Sequence, residues 1–224
     1  MVTRARDSAT RRDDMVVRQL AARDITDPRV LQAFRDVPRE AFVPKSLAHE
    51  AYEDRPLPIG QHQTISQPYI VALTLQALNL TGSERVLEIG TGSGYSAALL
   101  SRLAREVYSV ERLPSMAESA RGRLASLGYR VHVKVGDGTL GWPEQAPYEA
   151  IAVAAGGPRV PEALVAQLAS GGRLVIPVGG DEGQVLLRVL QIPGDGLQHE
   201  PIEHVRFVPL IGVQGQPERT ASRA

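Results

Sequence analysis

The chain has 224 residues, enough for one large domain or a domain with an extension. Lys plus Arg (25) equals Asp plus Glu (25), which excludes a protein held to nucleic acid by net charge alone. Cysteine is absent, so disulfides, thiolate nucleophiles and cysteine metal sites are excluded, and a reducing cytosol is the expected setting. No apolar run approaches the length of a membrane span, and the charged N-terminus lacks the apolar core of a signal peptide.

Residues 1–14 are charged and poor in apolar side chains, and are expected to be disordered. Residues 15–22 take a helical pattern, with Met15, Val16 and Leu20 on one side. Asp27-Pro28 predicts a helix start, with Asp as the cap and Pro in the first turn. Val30, Leu31 and Phe34 give that helix its apolar face, and Val37-Pro38 ends it. Residues 39–44 read as a connector and 46–51 as a further helical turn. Residues 53–67, E-D-R-P-L-P-I-G-Q-H-Q-T-I-S-Q, are the least regular part. Two prolines and a glycine exclude a helix there, and irregular segments of compact domains often carry function. Gln67-Pro68 starts the next helix, with Ile70, Val71, Leu73, Leu75 and Leu78 apolar.

Residues 86–98, V-L-E-I-G-T-G-S-G-Y-S-A-A, organise the rest. Val86 to Ile89 suit a buried parallel strand, and the residues from Tyr95 onward turn helical. Between them Gly90, Gly92 and Gly94 alternate, which allows close approach of a ligand at the helix N-terminus. Gly92-x-Gly94-x-x-Ala97 fits the Ala-ended dinucleotide fingerprint, so a nicotinamide dehydrogenase remains open on this stretch. Glu88 inside the strand, followed by three alternating glycines, favours S-adenosylmethionine over a pyrophosphate.

Downstream, residues 107–110 read as a second strand ending at Glu111, 114–127 as a helix, and 131–135 as a third strand followed by Gly136-Asp137-Gly138. Residues 150–154 read as strand four, 161–168 as a helix ended by Gly171-Gly172, and 173–178 as strand five. Residues 184–190 and 203–208 follow without an intervening helix and predict an antiparallel edge. The alternation implies an α/β fold with a doubly wound, mostly parallel, Rossmann-like sheet, an N-terminal helical addition (15–80), the sheet itself (81–214) and a disordered tail (215–224).

Glu111 stands about twenty residues after the glycine turn, where an acid meets ribose hydroxyls; the alternative is a solvated acid paired with Arg112. Asp137 is placed either for an adenine-edge contact or as an ordinary turn residue. Glu88, a buried acid, needs a partner such as the loop or the methionine amino group. Ser66 is either a helix cap before Pro68 or a functional hydroxyl. No G-x-S-x-G elbow and no H-E-x-x-H occur, so neither a serine hydrolase nor a metal site is indicated.

The segment P-L-P-I-G-Q-H-Q-T-I-S-Q-P (56–68) resembles the substrate segment of the protein-L-isoaspartate O-methyltransferases. So do V-P-R-E-A-F-V-P (37–44), L-E-I-G-T-G-S-G-Y, S-V-E-R (109–112), G-D-G-T-L-G-W-P-E-Q-A-P-Y-E-A-I (136–151), G-G-R-L-V-I-P-V-G (171–179) and V-R-F-V-P-L (205–210). The resemblance runs from about residue 14 to 210 and implies a class I methyltransferase domain over 15–214. It implies methyl transfer from S-adenosylmethionine to the α-carboxyl of L-isoaspartyl residues, starting repair through a succinimide. On this resemblance Ser66 is the active-site hydroxyl, and Gln63, Thr64 and Ile65 share the cofactor and substrate wall. Cofactor contacts fall to Glu88, Gly90, Thr91, Gly92, Gly94, Glu111, Arg112, Asp137 and Gly138; acceptor contacts fall to Ile65, Ser66, Val205 and Phe207. Two positions depart from the family pattern: Glu149 replaces an Asp, and the alanine-rich turn after strand four reads Ala154-Ala155-Gly156-Gly157. The expected partners are isoaspartyl-containing proteins or peptides, with no nucleic acid or membrane, and the chain is expected to be a cytoplasmic monomer. Competing readings are an enzyme that installs an aspartimide at an ordinary aspartate of a dedicated peptide, and a non-catalytic S-adenosylmethionine-binding protein.

Overall fold

The apolar run around Val86 becomes the central strand of a seven-stranded sheet in the computed structural model, which describes residues 2–180 and 182–218. This strand, β3 (Arg85–Ile89), is preceded by β1 (Leu57–Gly60) and β2 (Gln63–Ile65), which form a separate hairpin. The later strands are β4 (Glu106–Glu111), β5 (His132–Val135), β6 (Tyr148–Val153), β7 (Leu168–Gly180), β8 (Gly183–Ile192) and β9 (Gly196–Val205). The sheet order is β5-β4-β3-β6-β7-β8-β9. Pairing is parallel from β5 to β7 and antiparallel from β7 to β9, as alternation and the helix-free C-terminal stretch predict. The order reverses beside β3, so the carboxyl ends of β3, β4 and β6 open a crevice there.

Helices cover both faces. They are α1 (Val2–Met15), α2 (Pro28–Asp36), α3 (Pro68–Ala77), α4 (Tyr95–Leu103), α5 (Pro114–Ser126) and the short α6 (Glu162–Val165). Val86, Val107, Ala150 and Val175 meet the N-terminal helices, α3 and α4, while Leu87, Ile89, Val110 and Ile151 fill the opposite core. Burial on both faces explains the near-continuous apolar runs of these strands. Phe34 and Phe42 both pack against Tyr95, with ring centroids 6.0 and 5.5 Å away, and so join the N-terminal addition to α4. Among the described residues no helix is long and apolar enough to cross a membrane.

Five sequence expectations are corrected. Residues 2–14 are helical: α1 runs directly into a π-helical turn (Val16–Ala21), Asp13 accepts from Arg35 at 2.9 Å, Arg11 donates to the His49 carbonyl, and Met15 and Val16 are buried. The irregular segment holds the β1–β2 hairpin, whose tip uses left-handed backbone at Gly60, Gln61 and His62. Gly171-Gly172 lies inside β7, where the register against β6 shifts, and the preceding helix is only four residues long. The last strand spans 196–205 rather than 203–208; its first half is polar and exposed at a sheet edge, so apolar pattern could not reveal it. The start of the presumed disordered tail is tied down, with Gln216 N–H donating to the Leu210 carbonyl at 2.7 Å and Glu218 pairing with Arg112 at 2.8 Å; residues 219–224 lie outside the described part.

Candidate active site

The glycine turn leaves β3 at Ile89 and enters α4 at Tyr95. Gly90, Gly92 and Gly94 all have positive φ (93°, 55° and 90°), a backbone that L side chains rarely adopt. The turn is anchored from both sides. Gly90 N–H donates to the Val110 carbonyl at 2.9 Å, and Gly92 N–H donates to Glu111 Oε2 at 2.9 Å. The other oxygen of Glu111 accepts from Leu113 N–H at 3.0 Å, so one carboxylate fixes both the turn and the end of β4. The alternative pairing of Glu111 with Arg112 is not made; Arg112 turns instead to Glu218.

Beneath the turn, Glu88 is completely buried. Ser109 Oγ donates to its Oε2 at 2.6 Å, and Thr91 Oγ1 stands 2.6 Å from Ser109 Oγ. Since the Ser109 proton is directed to Glu88, Thr91 is the donor to Ser109. Glu88 Oε1 has no partner, although it is buried and its residue lines the cavity. Burial pushes the Glu88 carboxyl up to about 7, against the opposing pull of the Ser109 and Ser96 hydroxyls and with help from the Glu111 charge. An orphaned acceptor on a cavity wall is what a cationic or N–H-bearing ligand group would satisfy.

The cavity holds about 300 Å³. Most of the sequence-predicted residues line it: Gln63, Thr64, Ile65 and Ser66 from the hairpin side, Glu88, Gly90, Thr91 and Gly92 from the turn, and Glu111, Arg112, Gly138 and Phe207. Three do not. Gly94 is the first residue before α4 and packs against Leu124. Val205 ends β9 and lines an adjoining groove that shares Thr64, Ser66 and Phe207 with the cavity. Asp137 is satisfied within the protein: Oδ1 accepts from Thr139 N–H (2.8 Å) and Oγ1 (2.7 Å), and Oδ2 accepts from Val213 N–H (2.8 Å). Asp137 thus caps its own turn, and its neighbour Gly138, where a Cβ would strike Ile89, lines the cavity.

Ser66 is not a helix cap; Gln67 occupies that position. Ser66 gives its carbonyl to Arg39 Nη2 at 2.8 Å, and its hydroxyl has no partner among the described residues. Gln67 Nε2 donates to Asp54 at 2.9 Å, which fixes the segment just beyond. Residues that sequence reasoning missed include Tyr95, Leu113, the 152–155 turn and 208–211. Tyr95 closes the L-E-I-G-T-G-S-G-Y motif and Leu113 directly follows S-V-E-R, which was a usable signal. Residues 208–210 belong to the V-R-F-V-P-L segment, but what brings 208–211 to the cavity is a tertiary pairing of Gly156 with Val208 and Leu210.

Neither departure from the family pattern removes a wall residue. Glu149 Oε2 accepts from Arg85 N–H at 2.7 Å, at the far end of β3. Gly156 lies against Gln184, whose amide brackets Phe207: Oε1 accepts from Phe207 N–H (2.7 Å) and Nε2 donates to its carbonyl (3.2 Å).

Comparison with known proteins agrees with this geometry. The chain is 58% identical over 212 residues to protein-L-isoaspartate O-methyltransferase 2 of Pelobacter propionicus, covering 94% of each chain. It is 53% identical over 221 residues to protein-L-isoaspartate O-methyltransferase 1 of Rhodopseudomonas palustris, covering 96% of this chain and 90% of that one. A solved protein-L-isoaspartate O-methyltransferase superposes with a TM-score of 0.81 at 32% identity, over 91% of this chain and 67% of that chain. The fold is also that of a Plasmodium falciparum protein solved in complex with S-adenosyl-L-homocysteine (TM-score 0.77, 24% identity, 89% of this chain and 98% of that one). Residues 10–215 match the family described as protein-L-isoaspartate(D-aspartate) O-methyltransferase. On sequence, fold and site alike, the chain belongs to the protein-L-isoaspartate(D-aspartate) O-methyltransferase family.

Proposed function

We propose that the chain methylates the α-carboxyl of L-isoaspartyl residues in damaged proteins or peptides, and that Ser66 positions that carboxylate. S-adenosylmethionine, when bound, supplies a methyl group on a cationic sulfur. The residues present fit it: the glycine turn offers backbone, Glu88 offers an unsatisfied buried acceptor, and Glu111 closes the end of β4. The acceptor carboxylate is ionised at neutral pH, since its reference pKa is about 3.5, so no general base is required. The observation that carries the reading is the place of Ser66. It lines both the cavity and the adjoining groove, and its hydroxyl is free to donate. The groove, lined also by Thr64, Gln67, Ala154 and Phe207, gives a peptide a route to the cavity.

One or two hydroxyl donors orient a carboxylate without stabilising it so strongly that its nucleophilicity is lost. In the resulting methyl ester the neighbouring backbone amide nitrogen attacks the ester carbonyl, and the amide proton leaves with the methoxy group as methanol; the succinimide forms and hydrolyses without further help from the protein. A cytoplasmic monomer is part of the proposal; the cysteine-free composition supports the compartment. The test offers labelled S-adenosylmethionine with paired peptides that differ only in Asp or L-isoAsp. Methylation of the isoAsp peptide alone is expected. Equal rates on both would overturn the repair assignment and favour the enzyme that installs an aspartimide.

A further inference from the structure

Arg39 belongs to a 3₁₀ turn (Arg39–Phe42) and lies outside both the cavity and the groove. It is 0% exposed, the largest fully buried side chain among the described residues. Its Nε donates to the Ala51 carbonyl and its Nη2 to the Ser66 carbonyl, both at 2.8 Å. Its Nη1 is buried with no partner. Among the described residues no carboxylate forms an ion pair with it. Asp54, whose charge reaches it, is engaged by Arg23 and by Gln67 Nε2 at Oδ2, while its Oδ1 is buried without a partner. The guanidinium carbon stands 5.0 Å from the Tyr95 ring centroid, and Tyr95 lines the cavity.

A buried guanidinium without a carboxylate is costly, and two carbonyls with a ring face compensate it only in part. An apolar side chain would pack there without that cost. No carboxylate is ion-paired with the guanidinium, although the Asp54 charge bears on it, and it stands directly behind Ser66, at a site whose acceptor arrives as an anion. An Arg held by two carbonyls is fixed in place, whereas a mobile lysine would not fix the Ser66 peptide with the same geometry.

We propose that Arg39 is a positioning residue that selects an anionic acceptor: it fixes Ser66 through the backbone and its unpaired buried charge makes the Ser66–Tyr95 wall electropositive. The effect reaches the acceptor through Ser66 and Tyr95, without contact between Arg39 and the substrate. The proposal rests on the isoaspartyl reading above. In the low-dielectric interior such a charge acts over several ångströms with little screening, so the preference it creates is resistant to salt.

The test measures binding of two peptides in the presence of S-adenosyl-L-homocysteine. One carries the L-isoaspartyl α-carboxylate, and the other carries the α-carboxamide at the same position. The wild-type protein is measured first; failure to prefer the carboxylate there refutes the isoaspartyl reading itself. With a wild-type preference of tenfold or more, Arg39→Met is expected to reduce it to within about threefold while S-adenosyl-L-homocysteine affinity stays within threefold. Arg39→Lys, which keeps the charge but loosens the hold on Ser66, is expected to weaken both peptides while retaining most of the preference. A purely architectural Arg39 would weaken both peptides in parallel and leave their ratio intact, and that result overturns the proposal. Should Arg39→Met not fold, Arg39→Gln keeps a donor for a carbonyl without the charge, and an unchanged ratio in that variant overturns it equally.

Discussion

Replacing Glu88 by Gln removes a titratable group from the centre of the fold with almost no change in shape. The magnitude follows from its surroundings. Glu88 is 0% exposed, one oxygen accepts from Ser109 and the other has no partner. Its carboxyl sits at about 7 in the folded protein against 4.5 for an ordinary glutamate. Because the folded value is raised, the protonated form favours the fold; the contribution is complete below pH 4.5 and is lost as the pH rises through 7. The gap corresponds to about 3 kcal/mol at about 1.4 kcal/mol per pH unit. Of this, about 2 kcal/mol is lost between about pH 5.5 and about pH 8.5, where most other carboxylates are already ionised. The assay is urea denaturation of wild type and Glu88→Gln at these two pH values without cofactor. The variant is expected to gain on wild type by about 2 kcal/mol across the interval, with equal m-values. Parallel curves for the two proteins would refute the assignment of a raised buried carboxyl.

Three further outcomes follow from the site. Ser66→Ala is expected to lower turnover on an isoAsp peptide by about 10–100-fold, about 1.4–2.7 kcal/mol, with little change in cofactor affinity by calorimetry; Ser66→Thr keeps the hydroxyl and should retain more activity. Glu111→Ala is expected to cost about 1.5–3 kcal/mol of cofactor binding, because the Gly92 and Leu113 N–H groups lose their acceptor as well; unchanged affinity removes Glu111 from the site. In hydrogen exchange, the hairpin tip at 60–62 should gain protection when cofactor and acceptor analogue bind; equal protection of the tip in both states counts against closure.

The sheet was legible because its central strands are buried on both faces and its glycine turn has a fixed chemical task. Val86, Leu87 and Ile89 could hardly have packed otherwise. The Asp27 cap was equally legible, since its side chain accepts from the Arg29 and Val30 N–H groups as a cap must. What escaped was non-local. The helical start depends on Asp13 meeting Arg35, and the exposed strand 196–205 depends on β8 as a template. The local pattern around Asp137 does not show that Val213 N–H, far along the chain, reaches its second carboxylate oxygen. Arg39 was read as part of a connector, because nothing in V-P-R-E-A-F says that its guanidinium will be buried behind Ser66.

The cavity is completed late in the chain. Phe207, Pro209 and Ile211 form part of its wall, and residues 207–214 are held from three earlier places: Gln184 on Phe207, Gly156 on Val208 and Leu210, and the Asp137–Thr139 turn on Val213 and Gln214. A nascent chain that has emerged from the ribosome only as far as β9 already contains every strand of the sheet but has no closed chamber. Synthesis therefore delivers the last wall of the chamber, together with the buried core residue Leu210, only after the final strand, by a dozen or so residues and about a second of elongation.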